Sequence, residues 1–334
     1  MNRLTILVTI LIISALASAT PLRAQPQAEY RALLIGISDY APAGPGGPDL
    51  NYADDDANDW YFTLTSEHGW RPNNIIKLID SEASKTAIQG AIGVIAGELG
   101  PNDLFLLFYA GHGAYTPDQP PLDEIDGFDE YILAHDLEKI IDDELASWLT
   151  NIKAGRIVAI FDSCFSGGFI KSSSAGIASD MEIRTLPTLE HRKLIDTMNG
   201  DLAKPGYIVL TACDDDEICA ESSALQNGIF TYYMIEGMTS HPFPADFDGD
   251  SKVSAEEDYI YAAPKATAFN PNQHAQQWDG ILGEAELTII YPPTAPVGGV
   301  LLPVNKLAIL APYIGLVGGF GALTAAVLKG RRRK

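Results

Sequence analysis

The 334-residue chain is poor in cysteine, with three, and poor in positive charge, with 22 Lys and Arg against 44 Asp and Glu. Three cysteines exclude a fold built on disulfides, and the odd number leaves at least one thiol free. A formal net charge of -22 lacks the clustered cations that phosphate contacts need, which excludes a nucleic-acid surface. No internal repeat is present, and the only low-complexity piece is Ser172 to Ser174, so a solenoid is excluded as well. What the chain does have is 46% hydrophobic residues, enough for a full core.

The two ends are specialised. Arg3 precedes an apolar run from Leu4 to Ala17 and small residues ending Ala17-Ser18-Ala19, the pattern of a secretory signal peptide over residues 1–24, cleaved after Ala19 or Ala24. At the other end Leu307 to Leu328 carries no charge and is followed by the basic tail 329–334. About 20 apolar residues cross a bilayer, and clustered Arg and Lys favour the cytoplasmic side. The expectation is an exported domain over 29–291, a stalk over 292–306, and a membrane-spanning helix over 307–328.

Between the ends, short apolar runs alternate with helical patterns. Arg31–Ile37, Asn74–Leu78, Asp103–Tyr109, Arg156–Phe161 and Tyr207–Thr211 read as buried strands, whereas Asp54–His68, Lys85–Leu99 and Gly228–Met238 read as helices. That alternation predicts an α/β fold with an open parallel sheet covered on both faces. In such sheets ligands sit beyond the carboxyl ends of the strands.

Two chemical motifs fall there. The third strand runs into Ala110-Gly111-His112-Gly113, and the fourth into Asp162-Ser163-Cys164-Phe165-Ser166-Gly167-Gly168. A thiol attacks a peptide carbonyl as thiolate, and a nearby imidazole takes its proton and returns it to the leaving amine. Cys164 is the candidate nucleophile and His112 its acid/base partner, with the amides of Gly113 and Cys164 as candidate oxyanion donors. A bridge between Cys213 and Cys219 is open.

The segments YAGHG and DSCFSGG resemble the histidine and cysteine motifs of caspases and metacaspases. LLIGISDY, LNYADDDAND and DGFDEYILAHD extend the resemblance over Tyr30 to Tyr291. It implies a three-layer α/β sandwich with a mainly parallel sheet of about six strands, the caspase-hemoglobinase fold, acting on peptide or protein substrates. It also implies that Asp162 lines the S1 pocket, with Asp215 and Asp56 as further acids. A buried carboxylate pair there would select Arg or Lys. Ala110 and Phe165 depart from the family pattern, which has a small polar residue and a histidine at those places. The segment Lys171 to Lys204 holds Arg184, Arg192 and Lys193 and is the expected place of self-cleavage. Competing readings are a legumain-like peptidase cutting after Asn or Asp, and a silent calcium-binding interaction module.

One further motif is read from its spacing. Asp246, Asp248, Asp250, Lys252, Ser254 and Glu257 stand at the oxygen-donating positions of a twelve-residue EF-hand loop, with Ser251 where glycine is expected and a helix over Ala255–Tyr261 after it. The expected ligand is Ca2+. By resemblance alone, Asp129, Asp142 and Asp143 match a second, activating calcium site of metacaspases.

Overall fold

The computed structural model describes residues 28–40, 49–120, 128–164, 202–214 and 217–289. In chain order the strands are β1 (Tyr30–Gly36), β2 (Ile75–Ile79), β3 (Leu104–Ala110), β4 (Gly113–Pro117), β5 (Phe128–Leu133), β6 (Lys139–Ile141), β7 (Arg156–Asp162), β8 (Tyr207–Thr211), β9 (Glu221–Ser222), β10 (Asn227–Gly228) and β11 (Gln276–Asp279). The helices are α1 (Ala53–Ser66), α2 (Lys85–Ala96), α3 (Asp142–Leu149), α4 (Ile229–Met238) and α5 (Ala255–Phe269).

Six strands form one sheet in the order β11-β8-β7-β3-β1-β2. All neighbours are parallel except β11, which pairs antiparallel with β8. The central strands β3 and β7 are apolar without alternation because both faces are covered. On one face Leu33, Phe105, Leu107 and Phe161 join Ile88, Ile92 and Ile95 of α2 and Leu145 and Leu149 of α3 in a single core. On the other, Trp60 of α1 packs on Phe108 with ring centroids 5.5 Å apart, and α1 in turn packs against α4, and α4 against α5. Truncating a buried aromatic such as Phe161 to Ala would cost about 3–5 kcal/mol. The three-layer expectation holds.

Sheet register positions the chemistry. Ala110, the last residue of β3, lies opposite Asp162, the last of β7, and the Gly111 amide donates to the Asp162 carbonyl at 3.3 Å. The two motif loops therefore leave the sheet side by side. Directly after His112 the chain turns into a separate antiparallel sheet, β4-β5-β6, which pattern reading did not resolve.

Among the described residues no helix is long and apolar enough to cross a membrane. The leader 1–24, the stalk 292–306, the run Leu307 to Leu328, the tail 329–334 and most of Lys171 to Lys204 lie outside the described residues.

Candidate active site

His112 is fixed through its backbone. Its N–H donates to the Tyr40 hydroxyl at 2.7 Å, and its carbonyl accepts from the Tyr109 hydroxyl at 2.7 Å and the Leu133 amide at 3.0 Å. The Tyr40 ring lies 4.7 Å from the imidazole, tilted by 34°. Burial pushes the Tyr40 phenol up to about 12 and that of Tyr109 well above its ordinary value, so both hydroxyls stay neutral donors.

Cys164 lies two residues beyond the end of β7, is half-buried, and donates its thiol proton to the Cys219 carbonyl at 3.7 Å. Burial, joined by the charge of Asp162, raises the thiol above its ordinary value, so at rest the sulfur is protonated. Gly113 is required where the two loops touch: a Cβ there would lie 2.5 Å from the Cys164 carbonyl oxygen. His112 and Cys164 line one pocket, together with Asp56, Asp162, Cys219 and Glu221. Phe165 lies outside the described residues.

The pocket floor is acidic and buried. Asp162 Oδ2 accepts from the Thr231 amide at 3.0 Å and its hydroxyl at 2.7 Å. Asp56 Oδ1 accepts from Asn227 Nδ2 and the Gly228 amide, both at 3.0 Å. The two carboxylates flank Gly228: a Cβ on it would meet Asp162 Oδ2 at 2.4 Å and Asp56 Oδ2 at 3.0 Å. Burial raises Asp162 to about 6 against its hydrogen bonds to Thr231, and raises Asp56 well above the usual carboxylate range, with the charge of Asp162 adding. Among the described residues that line the pocket there is no Lys or Arg to pair with these carboxylates.

Sequence reasoning missed Glu221, and with it Gly228 and Thr231. Glu221 accepts from the amides of Asn51 and Tyr52 at 2.9 and 2.8 Å, holding the chain where it enters α1, whose first turn carries Asp56. It follows the acidic run Asp214 to Glu217, so its place at the pocket depends on the β9-β10 hairpin. Asp215, the acid expected there, lies outside the described residues.

The structure brings together part of the EF-hand-like set. Carboxylate oxygens of Asp246, Asp248 and Asp250 lie within 4.8 Å of one another, the only such group among the described residues. Ser251 stands at φ +69°, the left-handed conformation that explains why glycine is expected there. Three hard oxygen donors around such a turn fit Ca2+. Ser254 and Glu257 are engaged otherwise: they form a reciprocal cap on α5, and Glu257 Oε1 accepts from the amides of Phe247 and Asp248. The Lys252 ammonium pairs with Asp250 and Glu286, leaving its carbonyl as the candidate ligand. Asp129 sits on β5 and accepts from the Gln119 amide, while Asp142 and Asp143 open α3; these three do not form a second group of that closeness.

A family profile described as metacaspase, peptidase C14 domain, matches residues 30–173, which hold His112 and Cys164. The chain is 31% identical over 154 residues to Metacaspase-4 of Arabidopsis thaliana, covering 44% of this chain and 36% of that protein. It is 35% identical over 155 residues to Metacaspase-1 of Candida albicans, covering 42% and 34%. It thus spans about a third of the length of the curated relatives it matches. A solved structure from Geobacter sulfurreducens aligns with a TM-score of 0.54 at 22% identity, covering 79% of this chain and 100% of that one, a likeness of fold alone.

Proposed function

We propose, for a chain whose residues 30–173 form a caspase/metacaspase-like peptidase segment, that it is a cysteine endopeptidase cutting after Arg or Lys. His112 takes the thiol proton, and Cys164 Sγ attacks the scissile carbonyl. The oxyanion is held by the amides of Gly113 and Cys164. His112 returns the proton to the leaving amine, and water hydrolyses the thioester. The supporting observation is the buried Asp56–Asp162 pair in the pocket of Cys164, with no Lys or Arg among the described lining residues. A P1 guanidinium or ammonium offsets the desolvation of both carboxylates. It also neutralises the Asp162 charge that opposes thiolate formation, so a correct substrate helps to activate its own nucleophile.

Calcium, in this reading, is held by Asp246, Asp248, Asp250 and the Lys252 carbonyl, and steadies the loop entering α5. The leader and the apolar run near the C-terminus export the domain and anchor it on the outer face of a membrane. Self-cleavage falls within Lys171 to Lys204, and identical single bands for wild type and Cys164→Ala on a gel would remove that part.

The deciding experiment is hydrolysis of Arg, Lys, Asn and Asp reporter peptides with and without calcium, with Cys164→Ala as control. Cleavage after Arg or Lys, absent in the variant, is expected. Preferred cleavage after Asn or Asp would transfer the chain to the legumain-like reading. Failure of a thiol-directed peptide probe to label Cys164 would leave an interaction module.

A further inference from the structure

All three cysteines of the chain lie next to Ser163 or directly after it, two of them lining the pocket. Cys213 and Cys219 form a disulfide with Cα atoms 5.7 Å apart, and Cys164 is the free thiol. Both bridge sulfurs lie against the carbonyl oxygen of Ser163, one residue before the nucleophile: Cys213 Sγ at 3.3 Å and Cys219 Sγ at 3.0 Å. Cys164 Sγ in turn contacts the Cys219 carbonyl at 3.7 Å. Cys213 is fully buried, whereas Cys164 and Cys219 both line the pocket.

We propose that this trio is a thiol–disulfide exchange site that switches the nucleophile between a free and a capped state, an inference that rests on Cys164 being the nucleophile. Deprotonated Cys164 Sγ forms a bond to Cys219 Sγ while the Cys213–Cys219 bond breaks. The electron pair leaves on Cys213 Sγ, which takes up the proton that Cys164 lost. One disulfide and one thiol stand on each side, so no external oxidant or reductant is consumed. Cys219 is the half of the bridge attacked because it lines the pocket beside Cys164, whereas Cys213 is fully buried. The Cys164–Cys219 isomer is latent, since its nucleophile is blocked. Because the number of disulfides does not change, the switch operates in an oxidising exterior, where pairing rather than oxidation state sets the active fraction. Burial of the Cys164 thiol keeps the exchange slow near neutral pH and lets it quicken as pH rises.

The test is to hold the purified full chain in glutathione buffers at about pH 7 and about pH 8.5, spanning the free-thiol value. Samples are quenched in acid, alkylated with iodoacetamide, and mapped by non-reducing peptide mass spectrometry. Two isomers are expected: one with Cys164 alkylated and Cys213–Cys219 cross-linked, the other with Cys213 alkylated and Cys164–Cys219 cross-linked. The peptidase rate should fall in proportion to the second. Cys213→Ser under oxidised glutathione should form the Cys164–Cys219 cross-link, lose at least about tenfold in rate, and recover with dithiothreitol. Wild type mapping only to Cys213–Cys219 at both pH values, or Cys213→Ser that never cross-links, overturns the proposal. The mapping does not depend on turnover, so both isomers in a chain that hydrolyses nothing would instead fault the peptidase reading.

Discussion

Two groups of aspartates in this molecule carry the same chemistry in opposite settings. Asp56 and Asp162 are buried residues of the pocket that Cys164 lines, held by amides, a hydroxyl and one asparagine. Asp246, Asp248 and Asp250 ring an open loop, satisfied by their own backbone, with Lys252 beside them. Burial raises the first pair, whereas Asp250, held by Lys252, is lowered. The difference is one of free energy stored at the site. A carboxylate in water gives up little when a cation arrives, while a desolvated pair without a counter-ion strains the folded state until one binds.

Substituting the buried pair is the sharpest way to break that contrast. Asp162→Asn should lower kcat/KM on Arg peptides about 10²–10³-fold, the range for removing one partner of a desolvated charge pair. The same variant should melt higher than wild type near neutral pH. The reason is linkage: a carboxyl whose folded value is raised binds more protons folded than unfolded, so its contribution is full below 3.8 and is lost as pH climbs through about 6. Equal melting temperatures, or retained Arg cleavage, would show that the pair is not strained.

Acid should act on the loop side through a different group. His68 is fully buried, bonded to Thr288 Oγ1 at 2.6 Å and the Met238 carbonyl at 2.8 Å, and Thr288 Oγ1 also accepts from Val253 of the loop. Burial lowers its imidazole from 6.5 to about 4. The unfolded chain therefore binds the extra proton, and the contribution of His68 to stability falls as pH drops from 6.5 toward 4, by up to about 3 kcal/mol, opposed below about 6 by the growing contribution of Asp162. Chemical denaturation at stepped pH measures this, and His68→Gln should flatten the slope. Over much the same window kcat/KM on Arg peptides should drop about tenfold per unit below about 6, as Asp162 takes up its proton. Asp162→Asn should remove that limb and steepen the loss of stability toward acid, because the opposing contribution of its carboxyl over the same window goes with it.

How much of this was legible follows from where each signal resides. β3 and β7 are unbroken apolar runs and announce themselves, and the motifs at their ends place His112 and Cys164 at one edge. The strand Gly113–Pro117 is mixed and half-exposed, and Gln276–Asp279 is a polar edge; each is a strand only because a neighbour supplies the ladder. The proximity of Asp56 to Asp162 needs Gly228, which allows both carboxylates to approach its backbone, and no local pattern encodes that. The disulfide was undecidable from spacing, since pairing depends on Cys213 and Cys219 both lying against the Ser163 carbonyl, which no local pattern encodes.

The smallest expected effect belongs to the open loop. Ca2+ at about a hundred times its dissociation constant would add about 2.7 kcal/mol to the folded state, and each kcal/mol shifts the melting temperature of a domain of this size by roughly 2–4 °C. Asp248→Asn should abolish that shift by removing one of the three converging carboxylates. Turnover at 25 °C should change little, because the loop is tied to α5 through the Ser254–Glu257 cap and none of its residues lines the pocket. A chelator that stops turnover without lowering the melting temperature would place the working ion elsewhere. The two sets of aspartates would then differ in burial but not, as argued, in what each is for.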